Sequence, residues 1–284
     1  MRVSFPSTVA IQGFAGSFHA LAARQYFGSE PALLYCATFR EVVQHVARGT
    51  AEAGLMAIEN SIAGSILPNY QLLQAAAGVG VAGEVYLRIR QHLLALPGQT
   101  LADIEEVCSH PVALQQCAGF LGSRPWRLVE TTDTALSAQH LRQRQQRGVA
   151  AVAGMAAAHL HELEVLAADI HDDPDNYTRF LVLQPAAPEP VATANKASLY
   201  FHAEHRRGSL VRVLACIAER GFNLSKLQSC PRPGRTWEYF FHADVEFDAP
   251  AQLAALLPEL AALTDDLRVL GAYPRGLQQQ QSTI

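Results

Sequence analysis

A short strand, a glycine-containing turn and the start of a helix follow one another in Thr8-Val9-Ala10-Ile11-Gln12-Gly13-Phe14-Ala15-Gly16-Ser17-Phe18-His19. The two glycines permit a tight turn, and Ser17 can cap the helix that we predict over residues 17–26. The same alternation predicts strands over residues 33–36, 54–58, 106–108, 127–129 and 149–152, each followed by a helical pattern. Strands that alternate with helices favour an α/β fold in which helices cover parallel sheets.

The C-terminal part of the chain has a different order of elements. We predict a strand over residues 197–203, a helix over 209–220, strands over 223–229 and 237–247, a helix over 252–263 and a strand over 267–272. The turn Pro231-Arg232-Pro233-Gly234 joins the two central strands. The order β-α-β-β-α-β is the α+β ferredoxin-like pattern. A Pro- and Ala-rich segment precedes it, so we predict domains over residues 7–185 and 196–275, joined by a linker over residues 186–195.

The composition of the 284-residue chain restricts its class. Hydrophobic residues make up 49% and charged residues 17%, as in a globular protein and unlike a disordered one. The net charge of -4 argues against nucleic acid as the main partner, and no apolar stretch has the length of a membrane helix, so we expect no membrane partner either. The N-terminus lacks a secretion pattern and the five cysteines are scattered, which indicates a cytoplasmic protein with reduced thiols. Metal-ligand spacing and cofactor motifs are missing, so we expect neither a metal nor a cofactor.

Polar residues cluster at five predicted strand ends, which is where open α/β sheets bind ligands. The clusters are Ser17 behind its glycine turn, Glu59-Asn60-Ser61 with Gly64, Ser109-His110-Pro111, Thr131-Thr132-Asp133-Thr134, and Asn176-Tyr177-Thr178-Arg179-Phe180. Capped turns would explain several of them one by one. Together they favour a site for an anionic small molecule, held by backbone dipoles and a few polar side chains.

In this order the five clusters resemble the prephenate dehydratase family, which converts prephenate to phenylpyruvate. The resemblance implies two α/β lobes like those of a type II periplasmic binding protein, with the site in the cleft between them. It also implies that Thr178 acts on the leaving hydroxyl, with Asn60, Ser61 and Arg179 as further catalytic residues that bind carboxylates. The substrate-binding residues that it implies are Ser17, Glu59, Gly64, Ser109, Thr132, Thr134, Asn176 and Phe180.

The C-terminal pattern resembles the ACT domain that binds phenylalanine and inhibits such enzymes. The implied effector-binding residues are Arg207, Gly208, Ser209, Leu210, Asn223, Leu224, Gln228 and Ser229. The chain departs from the family pattern at Gln228 and Cys230, where charged groups are usual, so inhibition by phenylalanine is left open. Other departures are Phe14, His19 and Val112. Because ACT-like units commonly pair, the resemblance implies a homodimer or homotetramer.

Three other functions fit parts of the pattern. An arogenate dehydratase removes the same groups from the amino analogue of prephenate. A non-catalytic solute-binding protein would use the same two-lobed fold, but the missing secretion pattern and the Thr178-Arg179 pair disfavour it. An amino-acid-sensing regulator would need only the ACT-like unit, and the lack of a DNA-binding helix pair disfavours that function.

Overall fold

The computed structural model describes residues 6–28, 31–185, 191–232 and 234–276. Its strands are β1 (Thr8–Gln12), β2 (Ala32–Cys36), β3 (Ala53–Asn60), β4 (Gly64–Ser65), β5 (Val79–Arg88), β6 (His92–Ala95), β7 (Glu106–Ser109), β8 (Arg127–Glu130), β9 (Val149–Ala153), β10 (Glu164–Ala167), β11 (Tyr177–Pro185), β12 (Lys196–His202), β13 (Asn223–Pro231), β14 (Tyr239–Glu246) and β15 (Asp265–Tyr273). Its helices are α1 (Phe18–Phe27), α2 (Phe39–Ala47), α3 (Leu67–Ala75), α4 (Pro111–Gln116), α5 (Ala118–Gly122), α6 (Thr134–Arg144), α7 (Met155–Leu160), α8 (Ser209–Glu219) and α9 (Pro250–Leu263). Residues 186–190 of the predicted linker and Pro233 of the predicted turn lie outside the described residues.

Within these residues, the strands form three sheets. The first has the order β2-β1-β3-β11-β5 with β4 beside β3, and with α1–α3 it forms the first lobe. The second has the order β10-β6-β9-β7-β8, and with α4–α7 it forms the second lobe. The third, β13-β14-β12-β15, carries α8 and α9 and is called the C-terminal unit below. The mixed α/β fold, the two lobes and the β-α-β-β-α-β order are thus confirmed.

The expectation of parallel sheets was only partly correct, because the sheets of both lobes are mixed. β1 is parallel to β2 and β3, and β7 is parallel to β8 and β9. However, β11 is antiparallel to β3 and β5, and β6 is antiparallel to β9 and β10. The chain crosses between the lobes twice, from β5 to β6 and from β10 to β11, with no crossover helix to reverse its direction. A strand that enters a sheet directly from the other lobe therefore runs opposite to its neighbours.

Strand β11 is central to the first sheet, and its run Phe180–Leu183 is buried on both faces. Phe180 and Val182 pack with α1 on one face, whereas Leu181 and Leu183 pack with Tyr200, Phe240 and Tyr273 of the C-terminal unit on the other. The backbone of β15 comes so near to β5 that a Cβ atom on Gly271 would lie 1.8 Å from the Val81 carbonyl oxygen. The C-terminal unit therefore covers the back of the sheet that carries the predicted site.

The chain that leads into β12 already belongs to the C-terminal unit. Ala194 is buried in the core of that unit, and the amide of Asn195 donates to the carbonyl oxygen of Tyr273. None of the helices in the described ranges has the length and apolar character that crossing a membrane requires.

Candidate active site

A cavity of about 410 Å³ lies between the two lobes, at the ends of β1, β3 and β11. From the first lobe, its walls include Asn60, Thr178 and Phe180. From the second lobe, the segments around the starts of α4 and α6 contribute His110, Val112, Thr132, Asp133 and Thr134. The cavity thus gathers residues from four of the five clusters that the sequence singled out. Ser17 of the fifth cluster is not among the lining residues, but its neighbours Phe18 and His19 are.

The two glycines of the first turn allow the lobes to meet closely. Gly13 and Gly16 have φ angles of 102° and 82°, a region that L side chains rarely adopt. A Cβ atom on Gly16 would lie 3.0 Å from Ala157 Cα in α7, and one on Gly13 would lie 3.1 Å from a carboxylate oxygen of Asp133. These glycines therefore serve both the turn and the contact across the cleft.

The centre of the first-lobe wall is the cross-strand pair Asn60 and Thr178. The side-chain oxygen of Asn60 accepts hydrogen bonds from the amides of Ile62 and Ala63, at 3.1 and 2.8 Å. This fixes the Asn60 side-chain nitrogen as the group that faces the Thr178 hydroxyl, at 3.1 Å. Because an amide nitrogen only donates, the Thr178 oxygen accepts this bond, and the Thr178 hydroxyl hydrogen is left to donate into the cavity.

Three buried polar atoms around the cavity have no hydrogen-bond partner among the described residues. They are Nε2 of His19 and Oε1 of Gln91, which line the cavity, and Nδ2 of Asn176, whose side chain contacts Asn60 and does not itself line the cavity. Asn176 is fully buried, and its oxygen accepts from the Asn60 side chain at 2.7 Å. An unpaired buried polar atom costs stability, so such atoms at a cavity wall point to hydrogen bonds with a ligand.

The cavity has few ionisable groups. Among the described residues that line it, none is a lysine or an arginine. The ionisable groups are His19, His110 and Asp133. Burial lowers the pKa of His19 to about 4, so its ring, between Phe39 and Phe180, is neutral at pH 7. His110 accepts from the amide of Val112 and Asp133 from that of Leu136, so both cap helices. An anion would therefore meet helix N-termini and neutral donors here, together with the carboxylate of Asp133.

The structure contradicts the expectation that Arg179 binds a substrate carboxylate. Thr178 and Arg179 are neighbours on one strand, so their side chains leave opposite faces. Arg179 lies on the back of the sheet, where it pairs with Glu84 at 2.7 Å and with Asp244 of the C-terminal unit at 2.5 Å. Both carboxylates are fully buried and occupy the guanidinium group.

Several other expected site residues lie beside the cavity and support its walls. Ser61 ties its turn to the loop before β11, since its hydroxyl donates to Asp175 O and accepts from the amide of Tyr177. Ser109 donates to Val152 O, and Ser17 accepts from the amide of Ala20 as the cap of α1. Gly64 takes a positive φ at the start of β4. Glu59 faces away from the cavity and binds Lys226 of the C-terminal unit at 2.5 Å.

The expected effector residues separate into two places. Arg207 and Leu210 line a second cavity of about 570 Å³, and Gly208 and Ser209 begin α8 beside it. Asn223, Leu224, Gln228 and Ser229 lie instead on β13, an edge strand of the third sheet, and none of them lines that cavity. One chain of this protein therefore does not gather the eight residues into one pocket.

Gln91 is a polar residue of the cavity that sequence reasoning missed. It follows β5 in the connection between the lobes, within a stretch that carries no recognisable motif. A buried glutamine in the connection between two lobes indicates a site residue only once the positions of the lobes are known. In the described part of the chain, no cluster of three or more His, Cys, Asp or Glu residues could hold a metal ion.

The chain matches known proteins over most of its length. The profile of the family named prephenate dehydratase matches residues 9–188. A bifunctional chorismate mutase/prephenate dehydratase of Aquifex aeolicus is 33% identical over 96% of this chain and 75% of its own length. Arogenate dehydratase 2 of Petunia hybrida is 35% identical over 94% of this chain and 71% of its own length. The crystal structure of prephenate dehydratase from Arthrobacter aurescens in complex with L-Phe has a TM-score of 0.85 and 28% identity, and covers 98% of this chain and 92% of its own.

Proposed function

Because this chain belongs to the prephenate dehydratase family, we propose that it converts prephenate to phenylpyruvate, carbon dioxide and water. The observation that carries the proposal is the Asn60–Thr178 pair at the cleft. Its geometry leaves a hydroxyl hydrogen directed into a cavity with apolar walls and no lysine or arginine among the described residues. Such a site suits the departure of a hydroxyl group from a small ring.

The reaction breaks two bonds that join substituents to the ring. The electron pair of the bond to the ring carboxylate enters the ring as carbon dioxide leaves, and the opposite C–O bond breaks as the ring becomes aromatic. The departing hydroxide takes up a proton to become water. Thr178 is a weak acid, so its part is to donate a hydrogen bond to the departing oxygen as negative charge develops there. Asn60 holds the Thr178 oxygen and so aims that bond.

The remaining walls hold and desolvate the substrate. Phe18, Phe39 and Phe180 provide an apolar surface for the ring. A carboxylate that loses its water shell beside such a surface is destabilised, and this favours its loss as neutral carbon dioxide. The side-chain carboxylate is anchored by the main-chain amides at the start of α6, where Thr132 and Thr134 also line the cavity.

Arogenate is a second candidate substrate, and a specific observation favours it. Asp133 places a carboxylate at the cleft, and no lysine or arginine of the described residues lines the cavity to offset it. Prephenate carries two negative charges, whereas arogenate adds a cationic amino group that Asp133 would attract. The two non-catalytic alternatives, a solute-binding protein and an amino-acid-sensing regulator, predict that a ligand binds and that no product forms.

We also propose that the C-terminal unit is an ACT domain that binds phenylalanine near Gly208, Ser209 and Leu210, and that the chain is a homodimer or homotetramer. The structure of the Arthrobacter aurescens relative in complex with L-Phe supports the proposal that phenylalanine is the ligand. The separation of the eight effector residues on one chain supports the oligomer, since β13 is an exposed edge of the sheet. Light scattering with and without phenylalanine tests both points.

The deciding experiment is a product assay with the purified chain. Prephenate and arogenate are supplied in parallel, each with and without millimolar phenylalanine, and phenylpyruvate and phenylalanine are measured. Product from either substrate supports a dehydratase, and the ratio of kcat/KM values identifies the preferred one. Tight binding of both substrates without turnover would instead support a solute-binding protein.

A further inference from the structure

The catalytic pair has a second pair directly behind it. In the register of β3 and β11, Thr178 faces Asn60 and Arg179 faces Glu59. The first pair points to the cleft, and the second points to the C-terminal unit. Both residues of the second pair form ion pairs with that unit, Glu59 with Lys226 and Arg179 with Asp244.

A β-bulge makes this arrangement possible. The register shifts between Arg179 and Phe180, so that β11 skips Ile58 of β3. Ala57 and Asn60 line the cleft, whereas Ile58 and Glu59 between them both face the back of the sheet. A bulge disrupts the regular ladder and increases the local twist. Main-chain hydrogen bonds therefore hold the end of β3, which carries Asn60, less firmly than the hydrogen bonds of a regular ladder would.

Charge balance ties Arg179 to the C-terminal unit. The first lobe contributes Arg179 and Glu84, and the C-terminal unit contributes Asp244 and Lys196. The Lys196 ammonium group donates to both oxygens of Glu84, at 3.0 and 3.1 Å. Asp244 accepts further from Ser198 at 2.6 Å and from His242 at 3.1 Å. All four charges are buried; Arg179 and Glu84 pair within the first lobe, whereas the pairs Arg179–Asp244 and Lys196–Glu84 form only when both units are present.

Lys226 supplies the corresponding contact behind Asn60. Its ammonium group donates to Glu59 at 2.5 Å and to the Ser65 hydroxyl at 2.8 Å. Glu59 and Ser65 face each other across the short hairpin of β3 and β4. One lysine of the C-terminal unit thus holds both strands of the hairpin whose end carries Asn60.

We propose that the C-terminal unit is part of the basal catalytic machinery, because Lys226 and Asp244 hold the Asn60–Thr178 pair in its reactive position from behind the sheet. Lys226 and Asp244 touch no substrate, so they are positioning residues. A displacement of about 1 Å in a reacting group can reduce turnover roughly 10²-fold, which is why contacts on the far face of the sheet matter. This inference rests on the proposed function only for its activity readout.

The test compares two variants that each remove the side-chain contacts of one cationic residue of the C-terminal unit with the first lobe. Lys226→Met removes the contact behind Asn60. Arg268→Met removes the 3.4 Å hydrogen bond from Arg268 to Gln74 O, which lies away from the cleft. Assays contain no phenylalanine. We expect Lys226→Met to lower kcat about tenfold with KM changed less than about twofold, and Arg268→Met to keep the wild-type kcat.

A charge exchange separates positioning from general stability. Glu59→Lys combined with Lys226→Glu rebuilds the ion pair in the opposite sense, and we expect it to recover most of the kcat that Lys226→Met loses. A wild-type kcat in Lys226→Met would overturn the inference. A loss of kcat that the charge exchange does not recover would also overturn it. The same holds if Arg268→Met loses kcat in proportion to its drop in melting temperature.

Hydrogen exchange gives a readout that needs no turnover. The amides of Ile62 and Ala63 are protected by the Asn60 side-chain oxygen. If Lys226 positions Asn60, both amides exchange faster in Lys226→Met than in the wild type, whereas their exchange rates in Arg268→Met equal those of the wild type. Unchanged exchange in both variants refutes the inference by itself. An inactive wild-type chain with faster exchange in Lys226→Met refutes the proposed dehydratase activity and leaves the positioning contact standing.

Discussion

The side-chain nitrogen of Asn60 lies 3.1 Å from the hydroxyl oxygen of Thr178, with its orientation fixed by two main-chain amides that bind the Asn60 oxygen. The relationship assigns each hydrogen of the pair. Asn60 donates, Thr178 accepts, and the Thr178 hydroxyl donates to whatever occupies the cleft. The residues that the sequence grouped as catalytic therefore have different tasks, and these tasks lead to separate predictions.

Thr178→Ala removes the hydrogen bond to the departing hydroxyl. We expect kcat to fall on the order of 10²–10⁴, the range for a positioned proton-transfer group, with little change in melting temperature. Thr178→Ser keeps the hydroxyl and should retain turnover within about tenfold of wild type. Steady-state assays of phenylpyruvate formation check both variants. Near-normal turnover of Thr178→Ala would remove the assigned role.

Asn60→Asp replaces the donor that orients Thr178 with a negatively charged acceptor. We expect kcat to fall roughly 10²-fold, because Thr178 would then donate to the carboxylate and not to the substrate. The matched control is Asn69→Asp, which alters a buried amide in the same lobe that donates to Ala57 O at 2.6 Å. Asn69→Asp should lower the stability of the protein and leave kcat close to the wild-type value. Equal losses of kcat in the two variants would contradict the role assigned to Asn60.

Arg179→Met leaves Glu84 and Asp244 with one cation fewer in a buried site. Burial alone would raise the pKa of Asp244, but Arg179 holds it well below its usual range. We expect the free energy of unfolding to fall by about 3–5 kcal/mol, as for a broken buried ion pair. Arg179→Met combined with Asp244→Leu should cost less than the sum of the single changes. Chemical denaturation measures all three, and additive losses would argue against the pairing.

His19 predicts a dependence of stability on pH. Its pKa is about 4 in the folded protein and 6.5 in an unfolded chain, so the unfolded state binds the proton more readily between these values. The contribution of neutral His19 is complete above pH 6.5 and is lost as the pH falls from 6.5 to about 4. The loss amounts to at most about 3 kcal/mol. Unfolding measured across this window should show a smaller slope for His19→Gln, and an unchanged slope would refute the assignment.

Asp133 tests the choice between the two substrates. Asp133→Asn keeps an oxygen that can cap α6 but removes the charge at the cleft. We expect the ratio of kcat/KM for arogenate to that for prephenate to fall on the order of tenfold, since one screened charge contact is worth about 1 kcal/mol. Parallel assays of the two substrates measure this ratio. A constant ratio would show that Asp133 does not select the substrate.

Local patterns were sufficient for most of the elements. Ser17 and its glycine turn place the start of α1, and the order of the last six elements gives the topology of the C-terminal unit. The direction of β11 was beyond reach, because an apolar run such as Phe180–Leu183 fits a strand that runs either way. β5 and β6 were not among the predicted strands, and their connection crosses between the lobes without a turn signal.

The sequence by itself determined the alternation of strands and helices, the ferredoxin-like C-terminal order and the polar strand ends that meet at the cleft, since spacing and capping are local properties of the chain. Only the tertiary structure decided the face to which each of these residues points. Thr178 and Arg179 are adjacent in sequence, yet one serves the cleft and the other a buried ion network. The network partners of Arg179 are 95 and 65 residues away in the chain, and the bulge that turns Glu59 toward Lys226 exists only once β3 and β11 pair.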